Sequence, residues 1–121
     1  MSLRLRMRQA LPEAMRARDK AAVSALRTAL AAVDNAEAVP VDEAATRGRA
    51  LEHSPVGAGA TEAARRELTE SDVVAVVRAE AAERLAAAAG LTEPAHADRV
   101  ARLRAEARVL LHLLDGTPKD G

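Results

Sequence analysis

Val23, Leu26, Leu30 and Val33 recur at alternating steps of three and four within the stretch Met15 to Glu37. That spacing puts four branched aliphatic side chains on one face of a helix, and such a face is stable only when other helices cover it. The cover must come from a restricted set of side chains. Apolar residues make up 49% of the 121, yet Phe, Tyr and Trp are all absent, so the interior is built from Ala, Val, Leu and a few Met. Small side chains let helices approach closely. Ala, Leu, Arg and Glu dominate, and β-branched alternation is scarce, which favours helix over strand. An all-α fold with room for one small core follows.

The apolar pattern predicts about four main helices in two helical hairpins, packed as a small bundle within one domain. Residues 1–38 read as the N-terminal hairpin, 39–66 as a flexible Gly/Pro-containing linker, 67–115 as the C-terminal hairpin and 116–121 as a disordered tail. Helix 1 spans about Ser2 to Ala17, with Leu3, Met7, Leu11 and Met15 as its stripe; Pro12 predicts either a kink near Arg8 or a break before the proline. Asp19 is the expected N-cap of helix 2, which runs through Ala38 and stops before Pro40. In the linker the periodicity lapses, although Asp42 to Leu51 has room for one short helix, weakened by Gly48.

Thr69 followed by Asp72 predicts a capped helix 3 beginning at Glu70, with Val73, Val76, Val77, Ala81 and Leu85 buried and Gly90 ending it in a left-handed conformation. Val73, Val74, Val76 and Val77 exceed what one stripe requires, which leaves self-association through this helix open. Thr92 is the expected cap of helix 4, with Pro94 in its first turn. His96, Val100, Leu103, Ala107, Leu110 and Leu114 then form its stripe until Gly116 and Pro118 stop it.

Composition also narrows function. Without aromatic rings there are no stacking platforms for single-stranded nucleic acid, so modes of the RRM or OB type are not expected. Eighteen basic and 18 acidic residues leave a formal net charge of zero, so attraction to nucleic acid must be local. No cysteine is present, which removes thiolate nucleophiles, disulfides and Cys-based metal sites. The opening MSLRLRMRQAL lacks the apolar run of a signal peptide, and no stretch is long and apolar enough to span a bilayer. A soluble, cytoplasmic protein with no membrane partner is expected.

No catalytic constellation is legible. His53 lies in the linker, whereas His96 and His112 stand at opposite ends of helix 4, so no metal site is expected. Ser24 lies within helix 2, Ser54 lies in the linker and Ser71 opens helix 3 without a nearby His, so no catalytic triad is expected, and Gly57 to Gly59 lack the Lys-Ser/Thr of a phosphate loop. Glu80 and Glu83 share a helix face, but Arg84 stands four residues after Glu80 and relieves its charge. No cofactor is expected. The most functional pattern is basic: Arg4, Arg6 and Arg8 in helix 1, then Arg16, Arg18 and Lys20 at the turn into helix 2, against only Glu13 and Asp19. This excess suits RNA phosphates or an acidic partner. A second group, Arg99, Arg102, Arg104 and Arg108, is interrupted by Asp98 and Glu106.

The stretch MRARDKAAVSALRTALAAVDNAE, with its Arg-Asp-Lys entry and Asn-Ala-Glu exit, resembles the GatB/YqeY family, helical domains related to the tail of the B subunit of tRNA-dependent amidotransferases. The opening LRMRQALPEAMRARDK, the run ELTESDVVAVVRAEAAERLAA and the final RLRAEARVLLHLL extend the likeness. Glu67, Leu68, Thr69, Asp72 and Val73 match the family's entry to its third helix. Two departures stand out. The chain reads LLDGTPKDG where typical members continue into a further three-helix bundle, so it resembles a truncated form, and Asp34 occupies a position that is often basic.

The resemblance implies an accessory role in tRNA-linked amidation or translation, with tRNA, an amidotransferase or other translation proteins as partners. The carbon-nitrogen ligase activity associated with the family, with glutamine as amido donor, belongs to the whole multi-subunit enzyme, and this chain is expected to be non-catalytic alone. Arg4, Arg8, Arg16, Arg18, Lys20 and Arg27 are the candidate tRNA contacts. The alternative is a helical protein-protein interaction module with no nucleic-acid role.

Overall fold

The computed structural model describes residues 1–38 and 67–116. Four α-helices, α1 (Leu3–Arg16), α2 (Lys20–Ala38), α3 (Glu70–Gly90) and α4 (Ala97–Asp115), and one 3-10 turn (Pro94–His96) make up the fold. Among the described residues there is no strand. The reading of 39–66 as a linker with a short helix, and that of the tail beyond Gly116, fall outside the described residues.

Side chains close to each helix start set its beginning. The Ser2 hydroxyl accepts the Leu5 amide at 3.1 Å and opens α1. The Asp19 carboxylate accepts the Ala22 amide at 3.1 Å and opens α2. At α3, Thr69 and Asp72 each accept the other's backbone amide at 3.0 Å, a reciprocal capping box. Replacing Thr69 by Ala should lower the unfolding free energy by about 1 kcal/mol, read by urea denaturation.

Helix α1 runs unbroken through Pro12, so the chain does not break before the proline. Pro12 and Arg8 both face solvent, where water can satisfy the Arg8 carbonyl that the proline cannot reach. The stripe also differs from Leu3, Met7, Leu11 and Met15. Leu3, Met7 and Ala14 are buried, Leu11 is half-buried and Met15 is 49% exposed. Four-residue steps drift around a helix, leaving Met15 about 120° from Leu3 while Ala14 returns to within about 20°. The same drift exposes Leu85 (43%) in α3, where Val73, Val77, Ala81 and Ala88 are buried instead.

Gly90 is not left-handed. It is the last residue of α3, and Leu91 follows as the cap, its amide bonded to the Ala88 carbonyl at 3.2 Å. Nor does Thr92 cap α4. Pro94 holds Glu93 in extended backbone, residues 94–96 wind first as a 3-10 turn, and α4 begins only at Ala97. His96 is exposed, Val100 and Leu103 are half-buried, and Ala107, Leu110 and Leu114 face inward.

Leu3, Met7, Leu26, Val33, Val77 and Leu110 are the largest fully buried side chains, and Ala25 and Ala29 on α2 lie fully buried among them. The two hairpins pack through α2, which touches both α3 and α4. Val74 and Val76 are half-buried against this core. Two polar ties lock the layers. The Glu70 carboxylate accepts the free Leu3 amide at 2.9 Å, and the Arg6 guanidinium donates to the Leu113 carbonyl at 2.9 Å in the last turn of α4. A cation there suits the negative end of the helix.

Candidate nucleic-acid interface

The α1–α2 turn closes with a Schellman pattern: the Asp19 amide reaches the Ala14 carbonyl at 3.0 Å and the Arg18 amide reaches Met15 at 3.1 Å. The residue at the turn's left-handed position is Arg18, with φ 58°, where glycine is the usual occupant. A side chain there costs on the order of 1 kcal/mol in backbone strain. In return the turn presents a guanidinium at its apex.

Arg18, Lys20 and Arg27 line one open groove of about 640 Å³, and Arg102 from α4 lines it with them. Met15 and Val23 contribute apolar surface and Ser24 a hydroxyl. Arg18, Lys20 and Arg27 are exposed, and among the described residues none of the three is held in an ion pair. The nearby Asp19 carboxylate is already engaged in capping α2. This is a concentration of positive charge in a chain of zero net charge, suited to phosphate oxygens.

The remaining expected contacts lie elsewhere. Arg4 grips Glu37 with both terminal nitrogens, at 2.9 and 2.7 Å, and reaches Asp34 at 3.1 Å. Its hydrogen bonds to Glu37, opposed by partial burial and joined by Asp34, hold its pKa above the ordinary value. Arg4 therefore pins α1 to α2, and Asp34 is part of that clamp. Arg8 and Arg16 are exposed but do not line the groove.

Arg102 is not in the expected set; its pairing with Glu106 has the local i,i+4 spacing, but the bonds that tie that pair to α2 and α3 come from distant parts of the chain. Its Nε donates to Glu106 at 3.2 Å, and one terminal nitrogen reaches the Lys20 carbonyl at 3.4 Å. Glu106, otherwise buried, accepts from the Arg84 Nε at 2.8 Å. Arg84 also donates to the Glu80 carboxylate at 3.1 Å, the Glu80 carbonyl at 3.0 Å and the Thr28 hydroxyl. Burial works against the Arg84 charge, but the bonds to Glu106 and Glu80 outweigh it and raise its pKa. One chain of charge-assisted bonds thus joins α2, α3 and α4, and it sets the α4 wall of the groove.

Among the described residues no cluster of three or more His, Asp or Glu could hold a metal ion, and no helix is long and apolar enough to cross a membrane. His53, Ser54 and Gly57 to Gly59 fall outside the described residues. No family model, curated protein or solved structure matches the chain.

Proposed function

We propose that this protein is a GatB/YqeY-like accessory protein of tRNA-dependent amidation or translation that binds tRNA phosphates through Arg18, Lys20, Arg27 and Arg102 and performs no catalysis alone. The carrying observation is Arg18: a cation occupies a left-handed turn position that glycine would fill without strain, beside two further cations without an ion pair. Strain held at such a position is a pointer to function. With no aromatic ring in the chain, binding relies on backbone phosphates and the shape of paired RNA rather than on stacked bases. Carbon-nitrogen ligase activity with glutamine as donor is assigned to a larger enzyme with which the protein works.

Labelled bulk tRNA should bind the purified chain with a Kd on the order of 10 µM near physiological salt, more tightly as salt falls. Changing Arg18, Lys20 and Arg27 together to Glu should abolish this binding. Single neutralisations should each reduce the slope of log K against log salt by about one. Arg18→Gly separates backbone from charge: it should stabilise the fold by about 1 kcal/mol while weakening tRNA binding. Absence of tRNA binding at low salt, or a triple variant that binds like the parent, would sink the reading.

A further inference from the structure

Leu85 of α3 and Leu111 of α4 remain 43% and 38% exposed and share a depression of about 320 Å³ with Arg104, Arg108, His112 and Asp115. Arg104, Arg108 and His112 follow one another at i,i+4 spacing, a row about 12 Å long on the outer surface of α4. Arg104 and Arg108 lie about 200° and 240° around the helix from Arg102, so these two arginines point away from the groove assigned to RNA.

We propose that this surface docks an acidic amphipathic helix of a partner protein, its apolar side chains covering Leu85 and Leu111 and its carboxylates pairing with Arg104, Arg108 and His112. Charge complementarity carries the assignment. Like charges at i,i+4 repel along a helix, and among the described residues neither Arg104 nor Arg108 is held in an ion pair. Among the described residues, Asp115 is the single carboxylate lining the depression. An acidic partner relieves that repulsion while removing two leucines from water. An amphipathic helix carries apolar anchors on one face and charges on its flanks, the combination that two exposed leucines beside two arginines complement.

The same arrangement disfavours other occupants. A second copy of the chain meeting this face would set arginines against arginines. RNA would satisfy the cations but leave the two leucines without apolar contact. The inference stands apart from the tRNA reading, because it uses different residues on a different side of α4.

The test uses two fluorescein-labelled peptides of about 18 residues, or five turns. Both carry leucines at i, i+3, i+4 and i+7 spacing; one has Glu on the flanking positions and the other Lys. In fluorescence anisotropy with the full chain, the Glu peptide should bind at least about tenfold more tightly than the Lys peptide, the charge pairs setting the difference. The double variant R104E/R108E should invert that preference, and L85A/L111A should weaken the Glu peptide, both with unchanged helical circular dichroism. Equal affinity for the two peptides, or no Glu-peptide binding at millimolar concentration, would overturn the proposal. So would a dimer in sedimentation that L111R dissociates, which would make the face a self-interface. Loss of tRNA binding in R104E/R108E without any Glu-peptide binding would instead assign the row to RNA.

Discussion

Replacing Glu106 by alanine should lower the unfolding free energy by about 3 kcal/mol. The Arg84 and Glu106 side chains are each only 11% exposed. Removing the carboxylate leaves a guanidinium inside the bundle without its shortest ionic partner and releases the Arg102 side chain from its partner one turn along α4. The expected loss lies toward the lower end for a broken buried pair because Glu80 keeps its hold on Arg84. Much of the loss should return in the double variant Arg84→Met/Glu106→Leu, since apolar groups of similar volume need no counter-charge. Urea denaturation of the three chains distinguishes these cases. A Glu106→Ala loss below about 1 kcal/mol would mean that water already reaches the pair and screens it.

The second large effect is expected at Leu110, which is fully buried. Leu110→Ala should cost about 3 kcal/mol, the transfer of the lost methyl groups plus the cavity they leave. The core around it is built from Ala, Val and Leu with one Met, and no aromatic ring exists to fill such a space. Met15→Ala is the informative contrast. Spacing alone places Met15 in the α1 stripe, yet it is 49% exposed, so its replacement should change stability by no more than about 0.5 kcal/mol. Equal losses at the two sites in thermal or urea unfolding would contradict the packing described for α1.

Helices α2 and α3 begin where their caps predict, because Asp19 and Thr69 act on amides three residues away. Helix α4 departs from the expectation at Thr92, since the restriction that Pro94 places on Glu93 outweighs the capping hydroxyl. Stripe membership is legible near the starts of α1 and α3 and fails toward their C-terminal ends, whereas in α4 it holds best at the C-terminal end. In α1 and α3 a drift of about 40° per four-residue step accumulates until Met15 and Leu85 have left the core side.

Of the six expected contacts, Arg18, Lys20 and Arg27 share a groove, Arg8 and Arg16 lie outside it and Arg4 is bound to Glu37, while Arg102, not one of the six, enters from the other hairpin. A count of basic residues cannot separate these cases. Each depends on which carboxylate or carbonyl arrives from a distant part of the chain.

The sequence by itself determined the all-α class, the starts of α2 and α3 and the hairpin between α1 and α2. These follow from spacings of three to five residues, within which propensity, capping and turn chemistry act. Only the tertiary structure decided which charges are structural and which remain available to a ligand. Arg84 meets Glu106 across 22 positions, Arg4 meets Glu37 across 33 and Arg102 meets Lys20 across 82. Arg4–Glu37 needs α1 packed on α2, Arg84–Glu106 needs α3 packed on α4, and Arg102–Lys20 needs the second hairpin laid against α2, so each pair waits on burial of apolar helix faces.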